Sequence, residues 1–469
     1  MTDLLWVVIS LQWGFMVYLV ALTASYVALD IVAIIHLRHY MEERVLDGLP
    51  HGYSGFEPQI SILVPAYNEE ATITDNLRSL LQLSYSEYEI IAINDGSKDS
   101  TLETMIREFQ LTPFPEAYNH RLKTKPIRAI YHSATYPNLR VIDKENGGKA
   151  DSLNAGIEVS RYPLFCCIDA DSILQRDSLN RVVQPFLDDP RTVACGGTVR
   201  IANGCEVQQG FLTKVGLPKN ILALFQIVEY LRAFLFGRLG WSPMNAMLII
   251  SGAFGLFHKE TVIGVGGYMH NTIGEDMELV VRLHRHLRLA GKPYRITFVP
   301  DPVCWTEAPE DLRTLKNQRI RWQRGLCESL MNNRELLCHR RGGTPGWLAF
   351  PFMLLFEALG GVIEVIGYGL MTISFIMGWI SFSTWLILFA VAISLGILLS
   401  VSAFLLEELS FHLYPQRRQV FLLLAAAVIE NFGYRQINAI WKTIGFWRWL
   451  RGKQGGWGTM TRTASWQAR

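Results

Sequence analysis

Residues 4–37 contain no lysine or arginine and a single acid, Asp30. That run exceeds the roughly 20 apolar residues a helix needs to cross a bilayer, and a backbone held in lipid must satisfy its own polar groups. A removable leader is the rival reading, but it needs a basic start and a small-residue cleavage site. This chain opens Met-Thr-Asp and continues without a break. One tilted transmembrane helix over residues 1–40 is therefore expected. Arg38, His39 and Arg44 follow at once, so the positive-inside rule puts the next segment in the cytoplasm and the N-terminus outside.

The far end of the chain makes the same demand. Residues 347–380 and 384–406 are each long and apolar enough to span, whereas residues 420–429 reach about half that length before Glu430 interrupts them, which fits a re-entrant or interfacial piece. Residues 431–469 hold seven basic side chains and no acid, which favours a cytoplasmic tail. Half of the 469 residues are hydrophobic and the mean hydropathy is +0.18, too apolar for a soluble protein of this size. A net charge of +2 gives no signal for nucleic acid. Cys166, Cys167, Cys195, Cys205, Cys304, Cys327 and Cys338 show no zinc-type spacing and read as reduced thiols.

Between the apolar ends, strand and helix patterns alternate. After a Gly- and Pro-rich stretch at 50–58, a strand is expected at 60–65, a helix at 71–83 and a strand at 88–93 that runs into Asn94-Asp95-Gly96-Ser97. A third strand at 140–142 leads to Asn146-Gly147-Gly148-Lys149 and a helix at 150–159. Then Phe165-Cys166-Cys167-Ile168 ends abruptly in Asp169-Ala170-Asp171. The alternation predicts an α/β domain with a mostly parallel sheet and right-handed crossovers. Such sheets bind ligands at the carboxyl ends of their strands. Two carboxylates one residue apart suit Mg²⁺ or Mn²⁺ carrying a diphosphate, because these ions take a few carboxylates plus substrate oxygens. Ordinary capping acids at a strand end are the bland alternative.

Further on, residues 220–240 suit a core helix or one lying in the membrane interface, with the interface preferred. Residues 249–257, centred on Ser251-Gly252-Ala253, read as a strand whose small residues let a substrate approach the backbone. Gly274-Glu275-Asp276 opens a helix, and Gln318-Arg319-Ile320-Arg321-Trp322 lies inside another. There Gln318, Arg321 and Trp322 occupy adjoining faces, where Arg suits diphosphate oxygens and Trp suits a sugar ring. Alone, the pattern also suits a basic helix on lipid headgroups. On the second membrane segment Glu357, Gly360, Gly361, Glu364 and Tyr368 fall near one face, and ionisable groups at that depth usually face a polar cavity.

Taken together, Val64-Pro65-Ala66-Tyr67-Asn68-Glu69 with Asn94-Asp95-Gly96-Ser97, Asp169-Ala170-Asp171, Gly274-Glu275-Asp276 and Gln318-Arg319-Ile320-Arg321-Trp322 resemble, in order, a processive family 2 glycosyltransferase. That group includes cellulose, chitin, hyaluronan and poly-N-acetylglucosamine synthases. The resemblance implies a GT-A-type cytosolic domain at 58–310 after a linker at 41–57. An interfacial helix at 311–345, two transmembrane helices at 346–410, re-entrant or interfacial helices at 411–453 and a gating-loop tail at 454–469 would follow.

It also implies a UDP-sugar donor, Mg²⁺ or Mn²⁺, a growing polysaccharide as acceptor and an inverting mechanism. Pro65, Tyr67, Glu69, Asp95, Lys149 and Asp169 would hold the nucleotide and Asp169 with Asp171 the metal. Asp276 would be the base, and Ser251, Glu275, Gln318, Arg321 and Trp322 would meet acceptor and diphosphate. The family's usual Thr-Glu-Asp is here Gly274-Glu275-Asp276, which drops a hydroxyl and keeps the base. Trp457, Thr459 and Arg462 resemble a loop that closes over the nucleotide in hyaluronan and chitin synthases, although Met460 and Thr461 interrupt its usual run into Arg. Glu357, Glu364 and Tyr368 would wall the export path.

The expected function is polymerisation of a UDP-sugar, UDP-N-acetylglucosamine preferred, by a multi-pass protein of the plasma (inner) membrane that exports its product through its own helices. The sequence leaves partner subunits open, an accessory membrane subunit and a homo-oligomer both being compatible with it. Two rivals stand beside it: a single-transfer enzyme acting on a polyprenyl phosphate lipid, and a non-catalytic membrane subunit that only binds sugar nucleotide.

Overall fold

The computed structural model describes residues 2–47, 57–208 and 210–452. The first helix, α1 (Thr2–Asp47), is unbroken and runs past residue 40 into the stretch read as a linker. Its composition explains this, since neither Gly nor Pro interrupts residues 15–47.

The α/β half is built on β1 (Ile60–Ala66), β2 (Tyr88–Asn94), β3 (Leu111–Pro113), β4 (Ile127–Ser133), β5 (Leu139–Lys144) and β6 (Leu164–Ile168). It continues through β7 (Ile173–Leu174), β8 (Thr192–Ile201), the small hairpin β9 (Glu206–Gln208) and β10 (Phe211–Lys214), then β11 (Phe254–His258) and β12 (Arg295–Thr306). The main sheet runs β3-β4-β5-β2-β1-β6-β11-β8-β12-β7. Its centre, β5-β2-β1-β6, is parallel, and β8 pairs β12 in parallel. Antiparallel pairings lie at the flanks and where β11 enters between β6 and β8. The central strands are buried at every residue but Pro65 and Tyr88, as expected of parallel strands covered on both faces.

Helices α2 (Ile73–Leu80), α3 (Thr101–Phe109), α4 (Lys149–Val159), α5 (Ser178–Asp188) and α7 (Lys259–Gly264) belong to the same half, with α6 (Ile221–Leu231) between α5 and α7 in sequence. A Cβ on Gly156 of α4 would lie 3.0 Å from Leu63 of β1, so the missing side chain lets this helix sit close on the sheet. The strand expected at 249–257 begins only at Phe254. Residues 249–253 are irregular, because Gly252 is engaged by side chains of the site described below.

Helix α6 packs between β8 and the membrane helices, with Ala223, Val228 and Leu231 fully buried, and passes directly into a π-helical turn at Arg232–Arg238. Helices α8 (Glu275–Leu289) and α9 (Leu312–Asn332) complete this layer.

The segment at 347–380 is not one straight span. Pro345–Ala358, which contains the short α10 (Phe350–Phe352) between π turns, bends by 44° into α11 (Gly360–Ile376), with Leu359 at the break and two glycines opening α11. Helix α12 (Phe382–Ser410) is long and apolar enough to cross a bilayer, as is α1. The shorter α13 (Arg417–Ile429) and α14 (Tyr434–Leu450) meet at 56° about Gly433. A buried ion pair between Arg200 of β8 and Glu407 of α12 ties the sheet to the membrane helices. The chain is a membrane protein. Among the described cysteines, all but Cys338 are buried.

Candidate active site

Parallel pairing brings the key acids to one edge. Ala66 of β1 lies opposite Asn94 of β2, and Leu63 of β1 opposite Cys167 of β6. Asp95 and Asp169 therefore leave their strands on the same side. Strand β11 runs antiparallel to β6 with Phe254 opposite Ile168, so the Ser251-Gly252 loop that precedes it arrives at that edge too.

One cavity of about 1420 Å³ opens there and continues between the membrane helices. Pro65, Tyr67, Glu69, Asp95, Lys149, Asp169, Asp171, Ser251, Glu275, Asp276, Gln318, Arg321, Trp322, Glu357 and Glu364 all line it. Tyr368 does not. It sits edge-on to Phe15, ring centroids 5.5 Å apart, in an apolar cluster with Leu19 and Met371. Trp457, Thr459 and Arg462 lie outside the described residues.

Asp95 is turned inward. Its carboxylate accepts from Lys144 Nζ at 2.7 Å, Gly147 N at 2.9 Å, Gly148 N at 2.8 Å and Asn146 Nδ2 at 3.1 Å. That is the full capacity of a carboxylate, so Asp95 fixes the turn that opens α4. Gly148 there has a φ of +87°, which only glycine adopts at low cost. Lys144, fully buried, also pairs with Asp151 at 2.6 Å. Both partners were missed in the sequence, although a lysine ending a buried strand is itself a signal of a carboxylate nearby.

The turn delivers Lys149. Its ammonium pairs with Asp169, donates to Gly252 O at 3.1 Å and lies 3.9 Å from Glu275. Burial opposes its charge, but Asp169 and then Glu275 hold it above the ordinary lysine range. Asp276 accepts from Gly252 N at 2.9 Å and from its neighbour Met277 N at 2.8 Å, in the first turn of α8 where the helix dipole favours an anion. Burial pushes the Glu275 carboxyl up to about 7; Lys149 works against this and Asp276 reinforces it.

On α9, Trp322 is 43% exposed and lines the cavity, and Arg319 stacks 4.3 Å over its ring while pairing with Glu229 at 2.8 Å. Gln318 Oε1 is buried without a partner among the described residues. Deeper in, Glu357 bonds Tyr26 and pairs with Lys442 at 3.2 Å, and Glu364 pairs with Arg435 at 3.6 Å. Among the described residues, no three acids, histidines or cysteines converge as a ready metal cage. Asp169, whose carboxylate already meets Lys149, and Asp171 would leave a cation to take most of its ligands from a bound diphosphate.

Comparison with known proteins agrees with this geometry. The description "Glycosyl transferase family 2" matches residues 61–211, and "Glycosyl transferase family group 2" matches residues 164–401. The poly-beta-1,6-N-acetyl-D-glucosamine synthase of Staphylococcus aureus (strain COL) is 33% identical over 310 residues, covering 65% of this chain and 62% of that protein. The Staphylococcus epidermidis protein of the same name is 33% identical over 274 residues, covering 58% of this chain and 56% of its own length. The chain thus spans less than two thirds of these relatives. A solved mannosyltransferase from Pyrobaculum calidifontis, in complex with GDP-Man and Mn²⁺, superposes with a TM-score of 0.50 at 16% identity, covering 94% of this chain and all of that one. That likeness supports the GT-A-type fold. With a family match over just over half of its 469 residues, and its acids gathered at one sheet edge, this chain belongs to glycosyl transferase family group 2.

Proposed function

We propose that the protein is an inverting, processive glycosyltransferase that polymerises UDP-N-acetylglucosamine and passes the product outward through its own membrane helices. The observation that carries this is the single cavity joining Asp169, Asp171 and Asp276 at the sheet edge to Glu357 and Glu364 between the membrane helices. A single-transfer enzyme needs no such continuation. The name shared by the staphylococcal relatives supports the donor.

In this reading Tyr67, exposed at the cavity rim, and the turn held by Asp95 receive the nucleoside. Mg²⁺ or Mn²⁺, when bound at Asp169 and Asp171, supplies Lewis-acid neutralisation of the leaving diphosphate. Lys149 stands beside Asp169 to meet the same developing charge. The acceptor hydroxyl attacks an oxocarbenium-like carbon from the face opposite the diphosphate, and its proton passes to Asp276. Trp322 gives the acceptor sugar a face to stack on, and Gln318 an amide to bond. In the same reading the sheet domain faces the cytoplasm and the N-terminus the outside of the plasma (inner) membrane, which the basic residues Arg38, His39 and Arg44 after the first apolar run support.

The test uses the purified full chain in detergent, given one radiolabelled UDP-sugar at a time, with products sized by gel filtration. Polymer from UDP-N-acetylglucosamine alone is expected. A product of one sugar on a lipid would replace this reading with the single-transfer one.

A further inference from the structure

Arg238 is a partly buried cation of the cavity wall that no step above uses. It closes the π-helical turn Arg232–Arg238, in which Leu239 N donates to Phe234 O, five residues back, at 3.2 Å. Such wide turns are rare and concentrate at functional sites. This one brings Arg238 to the cavity, one residue after Gly237, which lines it too.

The guanidinium carbon lies 3.6 Å over the Phe234 ring centroid. Stacking on a ring leaves the N–H groups free at the edge of the plane. Nε and Nη1 are both buried with no hydrogen-bond partner among the described residues. Neighbouring cations differ: Lys149 has Asp169, Arg319 has Glu229 and Arg232 has Glu430. Burial, partly offset by Asp276, pushes Arg238 down to about 10. A buried donor without a partner is costly to maintain and is explained when a ligand completes it.

Resting on the polymerase reading, we infer that Arg238 binds the acceptor, donating its free N–H groups to hydroxyl or carbonyl oxygens of the growing chain's terminal sugar. The donor diphosphate is disfavoured as the ligand because Lys149 already stands beside Asp169 to meet it, whereas the π turn that carries Arg238 packs against α1 and α12, on the side where the product would leave. Phe234 and Trp241 line the same cavity beside it. An uncharged saccharide supplies acceptor oxygens there without adding charge.

The test measures UDP affinity and initial rates for purified full-length Arg238→Gln and Arg238→Lys, with UDP-N-acetylglucosamine as donor and a short N-acetylglucosamine oligosaccharide as acceptor. Arg238→Gln is expected to raise the acceptor KM by about tenfold or more, with UDP affinity and donor KM within about twofold of the parent. Arg238→Lys keeps the charge but loses the fork, and should fall between. A rise in donor KM or loss of UDP affinity in the lysine variant would assign Arg238 to the diphosphate instead, and unchanged kinetics would make it a packing group on Phe234. Should the glutamine variant not fold, the lysine variant decides by the same ratio. A parent that transfers from no UDP-sugar overturns the polymerase reading and this assignment with it. A parent that transfers, beside variants that keep its acceptor KM, overturns the assignment alone.

Discussion

Gly274 and Gly325 touch backbone to backbone: a Cβ built on either would lie 2.9 Å from the Cα of the other. Gly274 immediately precedes Glu275 and Asp276, and Gly325 belongs to the helix that carries Gln318, Arg321 and Trp322. The two parts of the site are thus held at a fixed separation, helped by Glu328, which accepts from Ile273 N at 2.9 Å, and by Ser329, whose hydroxyl donates to Gly274 O at 3.3 Å. This explains why the resembled family's threonine is absent at position 274. Its Cβ would collide with α9.

Gly325→Ala should therefore push the acceptor helix away from the base. Overpacking of this kind costs about 1–3 kcal/mol, and displaced reacting groups lose about tenfold or more in rate. A lower Tm and reduced kcat with UDP affinity retained are expected. Parent kcat in this variant would show that the spacing does not matter to the chemistry.

Asp276→Asn should leave UDP binding nearly intact and reduce transfer by roughly 10² to 10⁴, the usual cost of removing a general base. The amide keeps the shape, and its one oxygen can still accept from Gly252 N at the expense of the Met277 N contact. Parent turnover would reduce Asp276 to a helix-terminal acid.

Asp171→Ala should remove metal-dependent UDP binding, and EDTA should abolish parent activity until Mg²⁺ or Mn²⁺ is restored. With few protein ligands available among the described residues, the cation and the diphosphate are expected to bind together. Transfer that resists EDTA would end the metal assignment.

Much of this arrangement was legible because it is local. Acids at strand ends follow from an apolar run stopping at Asp95 or Asp169, and parallel pairing then fixes their common edge. What stayed hidden depends on partners far apart in sequence. Nothing near Asp95 says that Lys144 and two backbone amides take up its oxygens. Residues 347–380 read as one span because hydropathy is blind to the break at Leu359. Nothing in the composition of residues 220–240 announces the π turn that brings Arg238 to the cavity.

Glu275 gives a pH signature. Its folded carboxyl titrates at about 7 against an ordinary 4.5, with burial as the main cause. The folded state therefore holds a proton the unfolded state has lost between those values, and stability falls as pH rises through that window. Glu275→Gln cannot titrate, so its Tm relative to the parent should rise between pH 4.5 and 7 and level off above. A constant difference across the window would mean that Lys149 keeps Glu275 ionised in the folded protein.

The membrane end of the cavity makes the last prediction. Glu357 with Lys442 and Glu364 with Arg435 form two rungs between the α11 segment and α14, and both rungs border the cavity. Charged pairs at membrane depth are expensive unless water or a polar ligand reaches them. Asn438, on the same helix as Arg435 and Lys442, also lines the cavity, whereas Ile440 exposes 48% of its surface and does not line it. In a Cys338→Ser background, where the remaining described cysteines are buried, Asn438→Cys should react with a small charged thiol reagent and Ile440→Cys should not, because a thiol facing lipid stays protonated and unreachable. Polymer held in the path should slow the first reaction, and washing it out after UDP-sugar depletion should restore the rate. If Asn438→Cys is fully protected while polymer is still secreted, the rungs are sealed structural pairs and the product leaves by another route.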